Sequence, residues 1–186
     1  MPSEQSDENL ARLVQNGDHQ ALAVLMDRYT GKLLRYGRRF IVSTDSISDV
    51  VQDVFVIVYE NIKDFDATRQ FSPWIYRIAH NAFVDILRKS TKGPIYGLDL
   101  DRVMPHSVYE DSTEDEKEKE RMRVLLEKSL GGLSPAYREI IDLFYFENFS
   151  YQEIGDILHI PIGTVGIRLS RARTLLKKEI PRKEYE

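Results

Sequence analysis

Residues 150–178 read SYQEIGDILHIPIGTVGIRLSRARTLLKK, and this stretch decides how the second half of the chain folds. Ser150 and Glu153 form an S-x-x-E capping box, in which each side chain accepts a hydrogen bond from the other residue's backbone amide. The turn His159-Ile160-Pro161 ends that first helix. The apolar residues of the next helix are spaced 4, 3 and 4 and so line one face: Val165, Leu169, Ala172 and Leu176. The stretch therefore predicts a helix-turn-helix, with helices at 151–158 and 164–178.

The opposite face of the second helix suits duplex DNA. Residues 162–178 contain five basic residues and no acidic residue. A major groove admits one helix, and arginine reaches its guanine acceptors and the phosphates beside it. The alternative is an ordinary solvated basic face, but the capping box, the turn and the core spacing together favour DNA binding. Residues predicted to face the groove or the phosphates are Thr164, Ile167, Arg168, Arg171, Arg173 and Lys177.

Upstream, residues 8–92 show helical periodicity almost throughout, which predicts a helical domain. Its clearest helix follows Thr44, where apolar residues recur at three- and four-residue steps: Ile47, Val50, Val51, Val54, Val58 and Ile62. Residues 93–117 contain Gly93, Pro94, Gly97 and Pro105 and then an acidic run, which predicts a flexible linker. Helices are expected at 118–130 and 135–147, the second capped by Ser134 before Pro135. The prediction is an all-α fold of two small helical domains, residues 8–92 and 118–182.

Composition limits the possible functions of the chain. Its 186 residues are 42% hydrophobic, as in a folded protein. No run approaches the roughly 18 apolar residues that span a bilayer, and the N-terminus lacks a signal pattern, so we expect a cytoplasmic protein without direct membrane insertion. Absence of cysteine excludes disulfides and thiolate metal sites. The net charge of −4 disfavours a nucleic-acid binder, but nine acidic residues lie between 99 and 120, away from the basic helix.

An enzyme is not expected. The four histidines, at 19, 80, 106 and 159, show no metal-ligand spacing, and the chain has neither a phosphate-binding P-loop nor a nucleophile elbow. Acidic pairs such as Asp99 and Asp101 fall in the predicted linker, where nothing would fix catalytic geometry. No cofactor and no metal are therefore predicted.

Four segments resemble bacterial sigma factors of the extracytoplasmic-function type, group four of the sigma-70 family. In the second domain these are EIGDILHIPIGTVGIRLSRARTLL at 153–176 and LSPAYREIIDLFYFE at 133–147, which resemble region 4. In the first domain, DVVQDVF at 49–55 and FSPWIYRIAHNAFVDILRK at 71–89 resemble region 2. The resemblance implies a subunit that binds core RNA polymerase, reads the minus-ten and minus-thirty-five elements of promoter DNA, and is held inactive by an anti-sigma factor, which can be membrane-anchored.

The same resemblance implies roles for residues of the first domain. The face of Asp49, Gln52 and Asp53 would contact the clamp helices of the polymerase's largest subunit, although Ser48 stands where the family usually has an acid. Asn81 sits where the family's minus-ten helix carries a recurrent Asn, and its amide can donate to and accept from a base edge. Arg88 and Lys89 would hold phosphates.

The aromatic residues of the first domain divide between core and surface. The segment 63–70 has no apolar period, so Phe65 is predicted to be an exposed ring near an unstacked base, as in the family's base-capturing loop. Trp74, Ile78 and Phe83 are expected to be mostly core. His80 replaces the commoner Arg of the family and is expected at the surface without a partner.

Two further features leave alternatives open. Arg28, Lys32, Arg35 and Arg39 form a basic stripe, interpreted as solvated or polymerase-facing rather than DNA-binding. Gly166 stands where the family usually has a basic residue, which weakens the helix and removes one DNA contact. The competing function is a one-component helix-turn-helix repressor or activator, which would bind duplex DNA without being a polymerase subunit.

Overall fold

The computed structural model describes residues 5–40, 44–90 and 133–179, and its chain divides into two compact units, unit 1 (residues 1–95) and unit 2 (residues 96–186). Within the described residues every regular element is a helix, so the predicted all-α fold with two helical domains is confirmed. The predicted linker at 93–117 and the predicted helix at 118–130 both lie outside the described residues.

The described residues of unit 1 form four α-helices. They are α1 (Asp7–Gln15), α2 (His19–Gly37), α3 (Thr44–Asn61) and α4 (Phe71–Ser90), with a 3-10 turn at Ile62–Asp64 after α3. Side-chain oxygens cap the first two, because Ser6 accepts from the Asn9 amide and Asp18 accepts from the Gln20 and Ala21 amides. The apolar series predicted from Ile47 to Ile62 is buried throughout, which confirms the core face of α3.

The centre of unit 1 is an aromatic cluster around Tyr36. Its ring centroid lies 5.1 Å from Phe40, 5.2 Å from Tyr76 and 6.0 Å from Phe83, all edge-on. Gly37 follows in the chain, and a Cβ there would lie only 2.5 Å from Cζ of Phe83. This glycine therefore lets α2 approach closely enough for α3 and α4 to share one core.

Unit 2 begins, in its described part, with α5 (Pro135–Ile141), and Pro135 opens it as predicted; Ser134 occupies the N-cap position, but its side chain makes no capping hydrogen bond. The chain continues as a π-helix at Asp142–Phe146, so the segment predicted as one helix at 135–147 contains a local widening that the apolar period did not indicate. Next come α6 (Tyr151–Leu158) and α7 (Ile162–Glu179). The bounds of α6 match the prediction, and α7 begins two residues earlier than predicted.

Hydrogen bonds fix both ends of α6. Ser150 Oγ accepts from the Glu153 amide at 3.3 Å, and the Glu153 carboxylate accepts from the Ser150 amide at 2.7 Å, so the capping box is confirmed. His159 ends α6 in the left-handed region with φ 54°, and the Ile160 amide donates to the Gly155 carbonyl at 3.1 Å. The four predicted core residues of α7, from Val165 to Leu176, are buried. The helix-turn-helix is therefore present as predicted.

Candidate nucleic-acid interface

The outer face of α7 carries the residues predicted to meet DNA. Ile167 is 42% exposed. Thr164, Arg168 and Arg171 are half-buried, so each residue keeps part of its surface accessible. Nε of Arg168 is covered and makes no hydrogen bond within the described residues. The side chain of Lys177 lies outside the described residues. The result is an apolar residue flanked by guanidinium groups on a rigid helix, a combination suited to base methyl groups, base edges and phosphates.

Arg173 differs from the prediction that it extends the charge towards DNA phosphates. Its Nε donates to the Tyr145 hydroxyl at 2.8 Å, and its guanidinium carbon lies 5.5 and 5.6 Å from the ring centres of Phe144 and Tyr145. Both rings belong to the π-helix, whose extra residue per turn was not visible in the sequence. Arg173 therefore joins α7 to the π-helix by a hydrogen bond and cation–π contacts.

Gly166 lies on the side of α7 that faces α6. A Cβ built there would be 3.5 Å from Cε2 of Tyr151, an ordinary van der Waals distance. The glycine is thus not required for packing. It leaves α7 without a side chain at the position next to Ile167.

The exposed face of α3 brings together Asp49, Gln52 and Asp53, as the helical spacing predicted. Two apolar residues that the sequence reasoning missed continue this face: Val56 is 56% exposed and Tyr59 is 48% exposed. The sequence could have indicated this position, because Val56 follows Asp49 by two helical turns and does not belong to the apolar series that forms the core face of α3. The face combines carboxylates with uncovered apolar surface, as protein interfaces often do.

On α4, the structure places Asn81, Arg88 and Lys89 at the surface, as expected. The Arg88 guanidinium lies 3.5 Å from the Asp85 carboxylate, an exposed pair that leaves the cation accessible. The expectation for His80 is wrong: it is only 8% exposed, and its ring centroid lies 6.4 Å from that of Phe40. His80 belongs to the edge of the aromatic core, which the helical spacing alone did not distinguish from the surface.

The expectation that Phe65 is an exposed ring is also wrong. Phe65 is 5% exposed, and its ring lies 5.5 Å from Phe71 and 4.9 Å from Trp74. A single aromatic residue in an aperiodic segment folds inward and anchors the loop. Trp74, expected to be mostly core, is half-buried, as is Ile78, whereas Phe83 is fully buried.

The basic stripe of α2 does not form one free surface. Arg28 forms an ion pair with Asp7 of α1, and the Tyr29 hydroxyl donates to the same carboxylate at 2.6 Å. Burial and then this hydrogen bond raise the pKa of Tyr29. Nζ of Lys32 lies 5.1 Å from the Tyr29 ring centre, and Arg39 follows the end of α2. At least Arg28 therefore serves the packing of α1 on α2.

The described residues give no sign of a membrane-spanning helix or of a metal site. None of their helices is long and apolar enough to cross a membrane. They also contain no group of three histidine or acidic residues that could hold a metal ion.

Two protein families match this chain, one in each unit. The family described as Sigma-70 region 2 matches residues 25–93, and the family described as Sigma-70, region 4 matches residues 123–176. The first includes α3 and α4, and the second includes the helix-turn-helix.

Curated relatives match nearly end to end. The ECF RNA polymerase sigma factor SigW of Bacillus subtilis is 34% identical over 175 residues, which cover 90% of this chain and 92% of the relative. The ECF RNA polymerase sigma-E factor of Haemophilus influenzae is 31% identical over 186 residues, covering 97% and 98%.

Solved structures show the same likeness. CnrH, in complex with the cytosolic domain of CnrY, gives a TM-score of 0.67 at 27% identity, covering 94% of this chain and 96% of that chain. The sigma factor RpoE of Bartonella quintana, in complex with the anti-sigma factor NepR, gives 0.60 at 25% identity, covering 84% and 94%.

Proposed function

The chain belongs to the extracytoplasmic-function sigma factors of the sigma-70 family, and we propose that its two units divide promoter recognition between them. Residues 8–92 bind core RNA polymerase and read and melt the minus-ten element, and residues 118–182 read the minus-thirty-five element. Residues 93–117 link the two. The main support for this proposal is the two-sided character of α7. Its inner face is fully buried, and its outer face presents Ile167, Arg168 and Arg171.

At the minus-thirty-five element, α7 lies in the major groove. Ile167 contacts apolar base surface such as the thymine methyl, and Arg168 and Arg171 reach guanine acceptors or phosphates. Thr164, near the start of the helix, contacts the DNA backbone together with Lys177 at the other end. Arg173 acts differently, since its bond to Tyr145 fixes the rotation of α7 on the π-helix.

Core polymerase binds the exposed face of α3. Asp49 and Asp53 pair with basic groups on the polymerase, and Gln52 supplies a neutral hydrogen-bonding group between them. Val56 adds apolar area beside these polar residues, and removal of such area from water is the main source of interface free energy. The carboxylates determine orientation and the association rate, and reversal of one of these charges lowers affinity because it places like charges opposite each other.

The minus-ten element meets α4 and the loop before it. Asn81 hydrogen-bonds a base edge, and Arg88 and Lys89 hold the phosphates that follow. Phe65 does not stack on a base from the surface in this arrangement. It supports the base-capturing loop from beneath, through its contacts with Phe71 and Trp74.

An anti-sigma factor, which can be membrane-anchored, holds the protein inactive in the cytoplasm until a stress or envelope signal releases it. Support comes from two structural relatives. RpoE of Bartonella quintana was solved in complex with the anti-sigma factor NepR, and CnrH was solved in complex with the cytosolic domain of CnrY. Sequestration of the polymerase-binding or DNA-binding faces would suffice for inhibition, because both must be uncovered for initiation.

Two substitutions test the division of labour. Arg171→Ala should weaken recognition of the minus-thirty-five element by about tenfold or more, since one charged contact to a base or phosphate is lost, and should leave affinity for core polymerase unchanged. Asp53→Arg should weaken binding to core polymerase, because it reverses the charge of the α3 face. Asp27→Arg, an equal charge change at an exposed position of α2, is the control.

The measurements are core polymerase affinity by fluorescence anisotropy and binding of the assembled holoenzyme to minus-thirty-five variants. Equal losses of both activities in Arg171→Ala and Asp53→Arg would refute the division. A one-component repressor or activator would instead bind palindromic duplex DNA specifically without polymerase. Binding of the free protein to duplex DNA, measured without polymerase, tests this alternative. Family membership disfavours this alternative.

A further inference from the structure

One face of α1 contacts the backbone of the loop between the 3-10 turn and α4. Gln15, at the last position of α1, is half-buried, and its side-chain amide nitrogen makes two hydrogen bonds. It donates to the Ile62 carbonyl at 2.8 Å and to the Phe65 carbonyl at 2.7 Å. One side-chain amide therefore holds the backbone at the start of the loop to the end of α1.

Two more side chains of α1 extend this contact along the loop. Arg12 Nη2 donates to the Ala67 carbonyl at 2.9 Å. Glu8 Oε1 accepts from the Phe71 amide at 3.1 Å, so a carboxylate of α1 caps the N-terminus of α4. Glu8, Arg12 and Gln15 are spaced four and three apart and thus share one helical face. These bonds join residues at least 47 positions apart in the chain.

The loop also has an internal restraint. Asp66 Oδ1 accepts from the Thr68 hydroxyl at 2.7 Å and from the Thr68 amide at 2.9 Å, and these bonds lower the pKa of Asp66. Beneath it, Phe65 is packed on Phe71 and Trp74. The polar side chains of the loop stand exposed on this fixed backbone: Lys63, Asp64, Asp66, Thr68, Arg69 and Gln70.

A loop held at four backbone groups binds a ligand without losing much further conformational entropy. If those bonds are removed, the same polar groups sample many positions, and discrimination between similar ligands falls because no one arrangement is favoured. The region 2 match begins at residue 25, so α1 and all three side chains lie upstream of it.

We propose that Glu8, Arg12 and Gln15 are positioning residues that fix the loop at 63–70 so that it discriminates one unpaired base of the minus-ten element. This inference rests on the proposed minus-ten function of unit 1. The chemical class of ligand is a single extruded nucleobase with its phosphate, and α1 acts on it only through the loop backbone.

The test uses holoenzyme assembled from the full chain and core polymerase. Promoters are first selected from a randomised minus-ten library with wild-type holoenzyme, and the preference ratio between best and worst base is measured at each position. Gln15→Glu replaces the donor by a carboxylate of nearly equal shape that repels both carbonyls. We expect the ratio to fall by about tenfold at one or two adjacent positions, as expected for the loss of two hydrogen bonds, and to change less than twofold elsewhere.

Two variants serve as controls. Gln15→Lys keeps a hydrogen-bond donor and should retain most of the preference at the affected position. Gln20→Glu makes the same change of charge at an exposed position of α2 and should behave as wild type. Partial unfolding lowers activity on every promoter alike, so it leaves preference ratios unchanged, and a position-specific loss therefore reports positioning rather than stability.

Should Gln15→Glu not fold, Arg12→Met provides the second measurement. Arg12 is exposed, and methionine keeps an unbranched side chain there while removing the guanidinium donor. Trp74, the only tryptophan, supplies a spectroscopic signature in the free full chain. Loosening of the loop moves Phe65 off its ring, so acrylamide should quench Trp74 more strongly in either α1 variant than in wild type.

Uniform loss of preference at all positions, or no change at any position, would overturn the inference while leaving the proposed function intact. Absence of any minus-ten preference in wild-type holoenzyme would instead overturn the proposed function, and the inference with it.

Discussion

Replacement of Gly37 by alanine tests the packing that places α3 and α4 on one core. The added Cβ would lie 2.5 Å from Cζ of Phe83 and 2.6 Å from Cγ2 of Ile47, distances at which atoms of two different helices must move. The Phe83 ring cannot simply turn away, because it is stacked on Phe40 with a centroid distance of 5.4 Å and an interplanar angle of 8°. The methyl group therefore separates α2 from both neighbouring helices.

Overpacking of a tight core costs roughly 1–3 kcal/mol, and with two helices displaced we expect a loss near the upper end, about 3 kcal/mol. Gly31 provides the matched control, since it lies in the same helix and a Cβ there meets nothing within 4 Å. Gly31→Ala should stabilise unit 1 by about 1 kcal/mol through helix propensity. The two alanine variants thus differ in sign.

Urea unfolding followed by tryptophan fluorescence measures this difference, because Trp74 is the only tryptophan and lies in unit 1. Comparison of midpoints at equal slopes gives the free energies. A Gly37→Ala protein within about 0.5 kcal/mol of wild type, or a destabilised Gly31→Ala protein, would refute the reasoning.

Three further predictions concern unit 2, and each is measured by thermal unfolding followed by circular dichroism. Ser150→Ala removes the capping box and should cost about 1 kcal/mol, whereas Ser150→Thr keeps the hydroxyl that accepts from the Glu153 amide and should cost less; equal losses in both would contradict the capping role. Gly166→Ala should stabilise α7 by about 1 kcal/mol because its Cβ meets Tyr151 at an ordinary distance, and a destabilised variant would show that the space is smaller than described. Tyr145→Phe removes the acceptor of the Arg173 bond and should cost roughly 1.5–3 kcal/mol, and an unchanged melting temperature would contradict that role of the hydroxyl.

Much of the fold followed from sequence because its signals are local. The capping box at Ser150, the turn at His159 and the apolar steps of α3 each depend on residues a few positions apart, and all appear in the structure as predicted. The π-helix at Asp142–Phe146 did not follow, because its extra residue per turn leaves the apolar composition unchanged.

The site was less predictable where tertiary contacts decide the outcome. Phe65 and His80 were expected at the surface, but aromatic residues of other segments cover both: Phe71 and Trp74 of α4 cover Phe65, and Phe40 lies against His80. Arg173 is directed to the π-helix by Tyr145, 28 positions away. The contacts of Gln15 with the loop also join distant residues, so no spacing within α1 revealed them. Spacing in one helix shows which residues share a face but not what packs against it.

Transcription with purified core polymerase tests whether this chain directs promoter-specific initiation. Genomic fragments are transcribed with and without the full chain, and new transcript ends are mapped. We expect initiation at a specific set of promoters that share minus-ten and minus-thirty-five elements. This initiation should occur only when the chain is added and should be lost in Asp53→Arg. Absence of any new start site on all fragments would contradict it.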